Sequence, residues 1–73
     1  MIDKNKAGMR CRAKVVLRSH AATIQAMDLG TITYEIENEG RRLVLVQWDT
    51  GPSMFAFPEE IEIIGPADPP EFR

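Results

Sequence analysis

From Met9 to Val15 the chain alternates: Met9, Cys11, Ala13 and Val15 fall in one phase, Arg10, Arg12 and Lys14 in the other. A period of two marks a half-buried β-strand. Val15-Val16-Leu17 breaks the alternation, which fits a bulge or a strand exit. The period returns after Leu29, where Ile32, Tyr34 and Ile36 alternate with Thr31, Thr33, Glu35 and Glu37. Thr, Ile and Tyr are all strand formers. Glu37-Asn38-Glu39-Gly40 supplies turn chemistry, and RRLVLVQWD (41–49) is a second run rich in β-branched residues. Together they predict a β-hairpin. Asp49-Thr50-Gly51-Pro52-Ser53 predicts another turn, and MFAF (54–57) a strand returning from it. Pro58, with no N–H to donate, ends that strand. PEEI predicts one 3₁₀ turn, and IEII (61–64) the last strand.

Between the first two strands, RSHAATIQAMD (18–28) mixes helix formers with a capping Ser19. It reads as a long loop with one helical turn that carries Ile24 or Met27 onto the core. The expectation is therefore an all-β fold: a small five-stranded barrel with one long loop after the first strand and a 3₁₀ turn before the last. Closing so small a sheet removes most of its edges. Val44, Val46, Trp48, Ile32, Ile36 and Ile63 are the predicted interior. Residues 1–8 read as a flexible leader, 9–65 as the barrel and 66–73 as a Pro-rich tail that cannot continue a central strand.

Length narrows this further. With 73 residues the chain can build one small core. An apolar fraction of 44% with 27% charged residues is the profile of a globular domain rather than a disordered chain. The single cysteine, Cys11, allows no internal disulfide and points to a reducing cytoplasm. No apolar run approaches the ~20 residues a spanning helix needs, and the N-terminus lacks a signal-peptide core.

The net charge of −2 argues against a dedicated nucleic-acid binder. Its distribution is uneven, however. Residues 1–20 hold six of the nine Lys and Arg against one acid, leaving three basic residues and ten acids for the rest. Arg10, Arg12 and Lys14 on the first strand, with Arg41 and Arg42 at the start of the third, form a candidate phosphate-tracking row. The plainer reading is a basic strand paired beside acidic neighbours.

Catalytic chemistry finds little footing. Cys11 is in phase with apolar residues, and the lone His20 falls in a loop, so neither a Cys-His nucleophile pair nor a tetrahedral metal site is expected. No phosphate-cradling glycine motif is present. No cofactor and no enzyme activity are expected.

Three stretches carry a resemblance: Leu29-Gly30-Thr31-Ile32, Val46-Gln47-Trp48-Asp49-Thr50-Gly51, and Phe57-Pro58-Glu59-Glu60-Ile61-Glu62. Over residues 9–65 their order resembles the SH3-like barrels, in particular small bacterial SH3-like proteins and accessory subunits. The resemblance is to a fold that hosts unrelated roles. It implies an accessory or interaction role rather than a defined chemistry. The acidic loop and paired aromatics that grip proline-rich ligands in eukaryotic SH3 domains have no counterpart in residues 18–28, so that activity is not implied.

The strongest functional clue is a second apolar face. Leu43 and Leu45 lie opposite Val44 and Val46, and Phe55 and Phe57 opposite Met54 and Ala56. A small barrel cannot bury both faces of neighbouring strands, and contiguous exposed apolar patches mark interaction sites. Leu43, Leu45, Phe55 and Phe57 are the expected contact residues for a protein partner or a second copy. Trp48 is either a plug for the barrel end or an anchor beside Phe55 or Tyr34.

Overall fold

The computed structural model describes residues 2–20 and 22–65. Its spine is a long antiparallel hairpin, β5 (Leu29–Asn38) and β6 (Arg41–Trp48). The turn between them is two residues, Glu39 and Gly40, both at positive φ (53° and 79°). Such primed turns match the twist of the flanking strands. After Trp48 the chain turns again, with Gly51 at φ 129° and its N–H donating to the Trp48 carbonyl at 2.9 Å. It returns as β7 (Ser53–Ala56) against β6. A 3₁₀ turn, Pro58–Glu60, then re-aims the chain. The Glu60 carboxylate accepts the Phe57 N–H across it at 2.8 Å. The chain continues as β8 (Ile61–Gly65).

β2 (Arg10–Ala13) lies between β5 and β8, giving the order β7-β6-β5-β2-β8. The two-residue β1 (Ile2–Asp3) pairs with the far half of β5, Ile2 opposite Ile36 and Asp3 opposite Glu35. A separate short ladder joins β3 (Leu17–Arg18) to β4 (Thr23–Ile24). The fold is all-β, with antiparallel sheets, and no ladder closes β7 onto β8 among the described residues.

The core forms where one face of this sheet meets the loop hairpin. Cys11, Ala13, Leu17, Ile24, Ile32, Val44, Val46, Trp48, Met54, Ala56 and Ile61 are buried. Each large aliphatic side chain withdrawn in this way contributes roughly 1.5–3 kcal/mol. Gly30 makes the packing around Trp48 possible. A Cβ there would sit 2.6 Å from Val46 Cγ1 and 2.9 Å from Trp48 Cε3.

Several expectations need correction. Residues 22–28 contain no helical turn; the long loop instead folds into β3 and β4, with Ile24 in the core and Met27 exposed. Two N–H···O bonds, Met27 to the Ala13 carbonyl and Ala13 to the Asp28 carbonyl, tie its end to the end of β2. Residues 2–8, read as a flexible leader, supply β1 and a turn whose Gly8 N–H donates to the Ile32 carbonyl at 2.7 Å. The described residues form eight strands rather than five, and no ladder among them closes the sheet. Ile63, expected inside, is exposed, and Ile61 takes the core position on β8. Val15 is exposed because β2 ends at Ala13. The Pro-rich tail, 66–73, lies outside the described residues.

The most consequential correction is in β5. Its register against β6 shifts between Ile32 and Tyr34, so Thr33 has no partner. One unpaired residue reverses the facing of everything beyond it. Ile32 points into the core, but Ile36 and Tyr34 turn to the other face, and Glu35 turns inward to 4% exposure.

Candidate interaction face

The bulge at Thr33 builds the outer face. Beyond it, Tyr34 lies opposite Leu45, and Leu45 opposite Phe55, one residue from each of β5, β6 and β7. A second row runs from Ile2 through Ile36 to Leu43. Directly opposed residues share a sheet face, so each row is a continuous apolar line. Tyr34, Ile36, Leu43 and Leu45 remain partly exposed, and Ile2, Phe55 and Phe57 are exposed. Of the expected contact residues, the structure brings Leu43, Leu45 and Phe55 together and leaves Phe57 exposed just past the end of β7.

Trp48 does not belong to this face. It is 1% exposed, in phase with Val44 and Val46, and packs beneath Gly30. It is a core residue and cannot anchor a partner. Its indole N–H is buried without a hydrogen-bond partner among the described residues. Sequence reasoning missed Ile2 and Ile36 as face residues. The signal for Ile36 was the bulge, and nothing in the alternation of Thr31 to Glu37 marks its position.

The inner side of the same region is polar. Glu35, turned inward, receives Arg42, and Lys6 Nζ lies 3.6 Å from its other oxygen. Arg42 also reaches Asp3 at 3.4 Å and Glu37 at 3.0 Å. The hydrogen bond from Arg42 to Glu35, first, and the neighbouring carboxylates hold the guanidinium above its ordinary pKa. Asp3 is held below the usual carboxylate range, chiefly by the Asn5 N–H and also by Arg42. Asp3, Lys6, Glu35 and Arg42 line a cleft of about 220 Å³ together with Val44, Pro58, Ile61 and Ile63.

The basic row is mostly committed to ion pairs. Arg10 grips Asp49 with two bonds of 3.0 and 2.6 Å and donates to Thr31 Oγ1 at 2.7 Å. That grip holds the Asp49 carboxyl below its ordinary pKa. Arg12 pairs with Glu62 at 3.2 Å. Arg42 is turned to the inner cluster. Lys14 and Arg41 form no ion pair among the described residues. Arg10, Arg12, Lys14, Arg41 and Arg42 are thus not assembled into one free cationic track.

Cys11 is fully buried, and loss of hydration pushes its thiol up to about 11. A thiol so protonated is a poor nucleophile. His20 is exposed in the turn between β3 and β4. The described residues include no group of three or more His, Cys, Asp or Glu side chains placed to hold a metal ion. No helix is long and apolar enough to cross a membrane among them. No protein-family model matches the chain, and no curated protein or solved structure is found to be similar to it.

Proposed function

We propose that this chain is a non-enzymatic interaction module or small accessory subunit that docks a protein partner on the outer face of β5, β6 and β7. The observation that carries this reading is the bulge at Thr33. By reversing β5 it moves Tyr34 and Ile36 outward and draws a carboxylate, Glu35, inward. For an isolated domain this is the unfavourable choice, because a buried charge must be paired and an exposed apolar side chain gains nothing. A face that gains apolar residues at that cost is a face with something to cover.

The finer fold reading is an SH3-like barrel. Its supports are the β5-β6-β7 meander, the position of β2 between β5 and β8, and the 3₁₀ turn before β8. A cytoplasmic location is proposed from the lone, buried thiol. The alternative of a weak nucleic-acid binder has less support, since Arg10, Arg12 and Arg42 are occupied by carboxylates.

The test is Leu45→Glu. Leu45 is the middle member of the Tyr34–Leu45–Phe55 row and is partly exposed. Proteins captured from the native cell by the immobilised wild type should fall about tenfold or more on the variant, as for a central contact residue. Circular dichroism should remain that of the wild type. Unfolding of the variant, or unchanged capture, would overturn the proposal.

A further inference from the structure

The cleft beside Glu35 is lined by charges of both signs and by aliphatic carbon. Asp3, Lys6, Glu35 and Arg42 bring two carboxylates and two cations; Val44, Pro58, Ile61 and Ile63 bring the apolar surface. The charged groups are not equally engaged. Arg42 is shared among Asp3, Glu35 and Glu37. Asp3 accepts from the Asn5 N–H and from Arg42. Glu35 commits one oxygen, Oε1, to Arg42. Its Oε2 faces the Lys6 ammonium at 3.6 Å, too far for a hydrogen bond. Neither that oxygen nor Lys6 Nζ has a hydrogen-bond partner among the described residues. The Glu35 side chain is only 5% exposed, yet Oε2 is not sealed off. Trp48 Nε1 alone is fully enclosed without a partner among the described side-chain polar atoms. Glu35 therefore presents an accessible acceptor, and Lys6 a donor, on the lining of one cleft.

We infer that this cleft is a binding site for a small zwitterion with an aliphatic tail, chemically a free aliphatic amino acid. The ligand's ammonium donates to Glu35 Oε2, its carboxylate accepts from Lys6 Nζ, and its side chain packs on Ile63 and Pro58. Charge balance selects the head group. The four lining charges sum to zero, so a lone cation meets Lys6 and Arg42, and a lone anion meets Asp3 and Glu35. A zwitterion adds no net charge and gives each unpartnered group its complement. A wholly apolar ligand would strip water from Glu35 and Lys6 and return no hydrogen bond. Size selects the rest. About 220 Å³ lies below the roughly 300–1,000 Å³ of sites for drug-sized molecules, which leaves out a nucleotide. Val44 and Ile61 are already buried, whereas Ile63, at 39% exposure, gains from apolar cover.

The site uses the inward side of Glu35 and none of the Tyr34–Leu45–Phe55 row, so it and the docking role of the outer face can fail separately. The test is an NMR titration of the full chain with three ligands. Leucine carries both head groups, isoamylamine lacks the carboxylate, and isocaproate lacks the ammonium. Leucine should shift the amides of Lys6, Glu35 and Ile63 saturably, with a Kd at or below about 10 mM. Each truncated ligand should bind about tenfold more weakly, as for one lost charge-assisted hydrogen bond. Lys6→Met, at a side chain 48% exposed, should weaken leucine about tenfold and leave isoamylamine no weaker. A leucine Kd above about 10 mM, or no saturable shift, overturns the inference. Isoamylamine binding as tightly as leucine also overturns it, leaving a cation site on Glu35. Isocaproate binding as tightly does the same, leaving an anion site on Lys6 and Arg42. These comparisons use the wild type alone. Unchanged leucine binding by Lys6→Met overturns the inference as well.

Discussion

The two faces of the β5-β6-β7 meander have nearly the same chemistry and opposite fates. Ile32, Val44, Val46, Trp48, Met54 and Ala56 are buried on one; Tyr34, Ile36, Leu43, Leu45, Phe55 and Phe57 stay partly or fully exposed on the other. Hydrophobicity does not separate them. What separates them is cover. The inner face receives Cys11 and Ala13 from β2, Leu17 and Ile24 from the β3–β4 hairpin and Ile61 from β8. Among the described residues, no element is laid over the outer face beyond Ile2 at its margin. The loop expected to carry Ile24 or Met27 onto the core covers the inner face, through Ile24. Burial in a small domain is set by how many covering elements the chain can spare, and the described residues supply enough for one face.

The contrast is broken most sharply by truncating one aromatic on each side. Trp48→Ala removes a fully buried side chain and should cost about 3–5 kcal/mol, a large share of the stability of a domain this size. Phe57→Ala, at 38% exposure, should cost less than about 1 kcal/mol. Urea denaturation of both variants measures the difference. Equal losses would mean that Phe57 is held by contacts as dense as those of the core.

The adjacent arginines 41 and 42 sharpen the comparison with less perturbation. They share a strand and point to opposite faces. Arg42 compensates the inward Glu35, and Arg41 has no ion pair among the described residues. Arg42→Met leaves Glu35, 4% exposed, with only Lys6 beside it. A buried carboxylate that loses its main partner is destabilising. Thermal unfolding should fall by several degrees for Arg42→Met and stay within error for Arg41→Met. Equal melting temperatures would show that Glu35 does not depend on its cation.

Much of this architecture was legible in the chain. The alternation of Arg10 to Ala13, the Asn38 to Gly40 turn and the Pro58 step each act locally, and each lies where its chemistry implies. The outer residues Leu43, Leu45, Phe55 and Phe57 were legible for the same reason, since strands of strict period place them without ambiguity. Three things were not. The bulge at Thr33 has no local marker, because Thr is as good a strand former paired as unpaired. The reversal of Tyr34, Glu35 and Ile36 was therefore invisible. The fate of 18–28 was decided by tertiary contact: its helix formers lost to the docking of Ile24 and to the bonds between Met27, Asp28 and Ala13. Trp48 was ambiguous until Gly30 was seen to make room for it.

The smallest expected effect concerns the exposed pair that ties β2 to the turn after β6. Arg10 holds the Asp49 carboxyl below its ordinary value of 3.8. In the unfolded chain that partner is absent, so the pair's stabilisation is fully present above the unfolded pKa. It is lost as the pH falls through the lower, folded one. Both side chains keep contact with water, Asp49 at 50% exposure, so solvent and salt screen most of the attraction. Asp3 behaves in the same direction, through Asn5 and Arg42. The wild type should therefore lose urea resistance between about pH 5 and pH 2.5. Asp49→Asn, which has no carboxyl to protonate at that position, should lose slightly less over the same interval. The gap between the two should narrow in about 0.5 M salt. Parallel curves at low salt would mean that Arg10 organises the turn by its bond to Thr31 and that the charge of Asp49 contributes nothing to the fold.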